Sequence, residues 1–116
     1  MMKKTLAATL AVAIGTLSIT ANATAPLLAE EALAREEEKR IITSPIAGIE
    51  NRFWFDYRGD INEAQKELAS DLNRASDIED IRDAWEEYTF ELAGERRHYV
   101  KEMAERGYRM GSVTVG

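Results

Sequence analysis

Asn73-Arg74-Ala75-Ser76-Asp77-Ile78-Glu79 interrupts two long runs of helical patterning and sets how they face each other. Ser76 with Glu79 three residues on has the form of a capping box: the hydroxyl accepts from the Glu79 N–H while the Glu79 side chain reaches back. Upstream, Ile46, Ile49, Phe53, Tyr57, Ile61, Ala64, Leu68, Leu72 and Ala75 recur at threes and fours. Downstream, Ile78, Ile81, Trp85, Tyr88, Leu92, Tyr99 and Met103 do the same, with one gap where Arg96 stands. Gly107 suits the left-handed position that closes a helix, with Tyr108 folding back on Met103. The pattern predicts two helices, over about 45–75 and 77–106. So short a turn between them makes an antiparallel hairpin.

Before the first long helix, Ser44 is placed to cap and Pro45 to occupy the first helical position, although Gly48 softens that start. Residues 24–44 read as a short acidic helix followed by a linker, Ile41-Ile42-Thr43-Ser44-Pro45. Leu27, Leu28, Ala32 and Leu33 give the helix a thin apolar edge, and Glu36-Glu37-Glu38 a charged end that reads as solvated. A helix this short is marginal by itself, so loose docking is expected. Residues 108–116 form the tail, too short for a sheet and read as flexible.

Ahead of all this, Met1-Met2-Lys3-Lys4, an uncharged and mostly apolar run from Leu6 to Ile19, and Ala21-Asn22-Ala23 have the layout of a signal peptide cleaved after Ala23. The expectation is export, to the periplasm of a Gram-negative bacterium, with no stable membrane anchor after cleavage. The chain has no cysteine, which rules out disulfides and thiolate chemistry. It carries 15 Lys and Arg against 21 Asp and Glu, a net charge of −6. Loss of Lys3 and Lys4 with the leader takes that to about −8. So acidic a chain repels nucleic acid and anionic membranes, and favours cations or basic protein surfaces.

With the turn centred near Ser76, Tyr57 lies level with Arg96, and Leu68 with Trp85. Arg96 then fills the seam opposite Tyr57 and fixes the register, its guanidinium reaching Asp60 or stacking on the Tyr57 ring. One broad face gathers Asp56, Asp60, Glu63, Glu67 and Asp71 from the first helix, and Asp80, Glu87, Glu91, Glu95, His98 and Glu102 from the second. The opposite face carries Trp54 and Leu72, with Ala93, Val100 and Ala104 across from them. A lone hairpin buries little, so these five residues are expected at the interface of a homodimeric four-helix bundle. Cover by the chain's own N-terminal helix is the alternative.

On the acidic face, Asp56 is nearly level with His98, and Asp60 with Glu95. Glu95-Arg96-Arg97-His98 has the Glu-x-x-His spacing of carboxylate-bridged metal bundles, so Asp56, Asp60, Glu95 and His98 form a candidate divalent-metal set. Facing carboxylates such as Glu67 with Glu87 also suit weak calcium or magnesium binding. Phe55 with Gly59, and Phe90 with Gly94, repeat an aromatic-x-x-x-Gly spacing on the outer side of each helix. No phosphate-cradling loop or nucleophile–base–acid arrangement is present, and the sequence reads as a binding protein without catalytic residues or an organic cofactor. Three readings of function follow: a chaperone-like or stress-related envelope protein that binds basic or unfolded protein partners, a metal-binding subunit, or a structural component.

Overall fold

The computed structural model describes residues 28–110, and the described chain is all-helical. The expected leader, residues 1–23, and the end of the tail, residues 111–116, lie outside the described residues. Three helices follow in order: α1, Ala29–Glu38; α2, Arg52–Arg74; and α3, Ile78–Glu105. A 3₁₀ turn, Ile46–Gly48, stands between α1 and α2. None of these helices is long and apolar enough to cross a membrane.

The two long helices pack along their length, and their boundaries differ from the expected ones for local reasons. Helix α2 starts at Arg52, well after Pro45, because Ala47 and Gly48 take left-handed backbone angles, φ 57° and 70°. That breaks the helical path, and Asn51 restarts it by accepting from the Trp54 N–H at 3.1 Å. At the 75–77 turn the cap moves one residue on from Ser76. Asp77 Oδ1 accepts from the Asp80 N–H at 2.8 Å, and Asp80 Oδ2 accepts from the Ser76 N–H and hydroxyl at 3.1 and 3.0 Å. A carboxylate is the stronger acceptor at the positive end of a helix, and Asp77 provides one. The other end of α3 closes as expected. Gly107 has φ 90°, its N–H donates to the Ala104 carbonyl at 3.0 Å, and the Tyr108 N–H donates to that of Met103 at 2.9 Å.

The core is aromatic. Tyr57 and Tyr99 stack with centroids 4.9 Å apart, and Trp54 leans on both. Ile61, Ala64, Trp85, Tyr88, Leu92 and Met103 continue the seam, all buried. Both stacked tyrosines keep their hydroxyls paired by catching the connecting segment. The Ile42 N–H donates to Tyr57 Oη at 2.9 Å, and the Ile46 N–H to Tyr99 Oη at 3.0 Å. Residues 39–51 are thereby drawn across this end of the molecule, and Trp54 is sealed beneath them.

Helix α1 is firmly docked, contrary to the loose helix expected. Ala34 is fully buried. The Tyr88 hydroxyl donates to Glu38 Oε2 at 2.5 Å, the Arg35 guanidinium lies 4.7 Å over the Trp85 ring, and Arg96 pairs with Glu37. The Glu36-Glu37-Glu38 run is therefore no solvated end: Glu37 is buried, and two of the three acids tie α1 to α3. In the absence of a long α1, these polar anchors substitute for apolar area.

Candidate functional site

The acidic face is built because α2 and α3 turn the same flank outward. Glu67 from α2 and Glu87 and Glu91 from α3 bring carboxylate oxygens within 4.8 Å of one another. Among the described residues this is the only group of three or more His, Cys, Asp or Glu so close. Burial and then the hydrogen bond and charge of Glu67, with Glu87 and Asp71 adding repulsion, push Glu91 up to about 7. Toward the turn, Asp71, Asp80, Asp83 and Glu87 line an open hollow, with Arg74 held by Asp71 at 2.6 Å.

Toward the other end lie the four residues expected to hold a metal. Asp56, Asp60, Glu95 and His98 line one hollow of about 440 Å³, walled by Tyr57 and Tyr99. Burial raises the Glu95 carboxyl above its ordinary range, contact with Asp60 raises it further, and His98 partly offsets this. The four side chains share a hollow without converging to a coordination shell, since their donor atoms form no group within 4.8 Å. Arg52, on the same wall, sets a cation among them. The triad that does converge is all carboxylate, a hard-oxygen set suited to calcium or magnesium more than to zinc.

Arg96 requires a correction. It does not fill the seam opposite Tyr57: Tyr99 occupies that place, and Arg96 reaches across to Glu37 of α1. Position 96 lies on the flank that α3 turns toward α1, where a buried carboxylate outcompetes the exposed Asp60. Arg96 still acts on Tyr57, its charge partly offsetting the burial that raises the phenol. Trp54 also departs from expectation. The chain's own linker covers it, leaving it 4 % exposed, so it offers no surface to a second copy, while Leu72, Ala93, Val100 and Ala104 are half-buried.

The anchors of α1 were missed in the sequence. The available signal was Tyr88, a seam residue with a hydroxyl that burial obliges to find a partner. Burial and the hydrogen bond to Glu38 now push that phenol up to about 12. Comparison with known protein families, curated proteins and solved structures finds no match.

Proposed function

We propose that the chain is an exported helical-hairpin interaction protein whose acidic face receives a Lys- and Arg-rich segment of another protein. One observation carries this: Glu67, Glu87 and Glu91 bring their carboxylate oxygens within 4.8 Å of one another on the α2–α3 flank, where burial and this crowding together push Glu91 up to about 7. Packing like charges together destabilises a fold, and a Lys- and Arg-rich partner segment relieves that repulsion. The strip from Asp71 to Asp56 runs about 22 Å along α2 at the standard helical rise. That length suits an extended chain of positive charges better than a single ion. In this reading the protein is a chaperone-like envelope component, not an enzyme, and it works as a pair of hairpins.

The test is calorimetric titration with oligolysine. The wild type binds, and binding weakens as salt rises. The Glu67→Gln/Glu87→Gln/Glu91→Gln variant binds at least tenfold more weakly while melting higher. Equal binding by both proteins contradicts the reading, and suppression of aggregation of a basic unfolded client distinguishes a chaperone from a scaffold.

A second reading rests on the hollow that holds Asp56, Asp60, Glu95 and His98. There the ligand is a divalent metal, and manganese, iron or zinc raises the melting temperature of the wild type but not of His98→Ala. No shift with any of the three metals ends this reading.

A further inference from the structure

Helix α3 presents a second surface that the acidic face does not explain, on the side turned away from α2. Phe90 is there, 66 % exposed. One turn on, Gly94 sits inside the helix, and a Cβ at that position meets nothing within 4 Å, so the chain's own packing does not require glycine there. A helix-interior glycine is unfavourable relative to alanine. Beside Phe90, Leu33 of α1 is 62 % exposed, and Ala29, Glu30, Leu33, Glu86, Thr89 and Phe90 line a shallow, mostly apolar hollow of about 170 Å³.

The charges around this patch are ordered. Advancing about 100° per residue, Asp83, Glu86, Phe90, Gly94, Arg97 and Lys101 fall on one stripe. Acids lie before Phe90 and bases after Gly94. Among the described residues, Asp83, Glu86 and Arg97 make no ion pair within the chain, and Lys101 makes only an exposed one with Glu105. A stripe acidic at one end and basic at the other is complementary to itself reversed.

We infer that two copies of this protein pair back to back through antiparallel α3 helices, on a two-fold axis level with Leu92. This deepens the pairing part of the function proposed above and rests on it. On such an axis, Phe90 of one copy lies level with the partner's Gly94 and covers its bare backbone. Glu86 comes within a residue of the level of the partner's Arg97, and Asp83 is level with the partner's Lys101. Each contact occurs twice, as an isologous interface requires. The interface differs from the one expected around Trp54, and it places the four long helices in a single layer. Because a two-fold normal to that layer keeps like flanks on one side, it joins two acidic faces into one broad surface.

Sedimentation velocity of the mature chain over a range of concentrations is the test. The wild type dimerises reversibly. Glu86→Arg alone and Arg97→Glu alone each weaken the dimer at least tenfold, and the two together restore it, because the exchanged charges again match. Gly94→Leu fills the seat of the Phe90 ring and weakens the dimer without lowering the melting temperature. A monomer at all concentrations overturns the inference, as does a dimer indifferent to both single charge reversals. Oligolysine binding by the same variants reports on the acidic face separately, so a failure of either claim is visible without the other.

Discussion

For single residues, stability turns on which side chain each charge meets. Asp77, not Ser76, caps α3, so Asp77→Ala costs about 1 kcal/mol in denaturant unfolding. Ser76→Ala, which removes only a hydroxyl bond to Asp80, costs less. Glu91 gives a pH dependence whose sign follows from its raised carboxyl. A group bound more tightly to its proton in the folded state stabilises below its unfolded pKa, and that contribution is lost as pH rises through the folded one. The melting temperature is therefore expected to fall between about pH 4.5 and about pH 7, with Glu95 acting in the same direction. Thermal melts across this range check it. Glu91→Gln should flatten the fall, and an equally steep fall in that variant contradicts the assignment.

At the scale of elements, the long helices were legible because their apolar residues keep the 3.6 period over many turns, which local detail does not erase. The placement of Asp60 beside Glu95, and of Asp56 and His98 on the same hollow, was legible for the same reason: a three-residue turn leaves little freedom in register. What escaped was the local choice of Asp77 over Ser76 as cap, and the contacts that α1 and the linker make with the long helices. The start of α2 was misplaced because Pro45 suits a helix start locally, while the left-handed Ala47 belongs to a segment held by Tyr57 and Tyr99. Arg96 was misassigned because Glu37 reaches it only once α1 has docked, and nothing in the periodicity of α3 reports on α1. The docking has a measurable consequence. Arg96→Ala leaves the buried Glu37 carboxylate without its main partner and should destabilise by about 1–3 kcal/mol. Tyr88→Phe should cost about 1 kcal/mol, with loss of α1 visible as faster amide exchange over residues 29–38. Gly59, like Gly94, meets nothing at its Cβ position. Gly59→Ala should therefore stabilise by about 1 kcal/mol, and a loss of stability there indicates a contact the chain does not make alone.

At the scale of the whole molecule, the fold sorts its surface by charge. The linker and α1 cover one flank of the α2–α3 pair, and the opposite flank is left to carboxylates, with net charge −6 over the sequence. The aromatic seam and the polar anchors of α1 hold that arrangement together despite the like charges. A fold this small holds only a modest apolar core, so the crowded acids matter for stability as well as for binding. Whether the acidic face receives a cationic protein segment is read from the salt dependence of oligolysine binding. Tight binding at low salt is expected, with a steep loss of affinity between about 50 and 200 mM salt and a shallower slope when Glu67, Glu87 and Glu91 become Gln. Affinity indifferent to salt, or the same slope in wild type and variant, would contradict it.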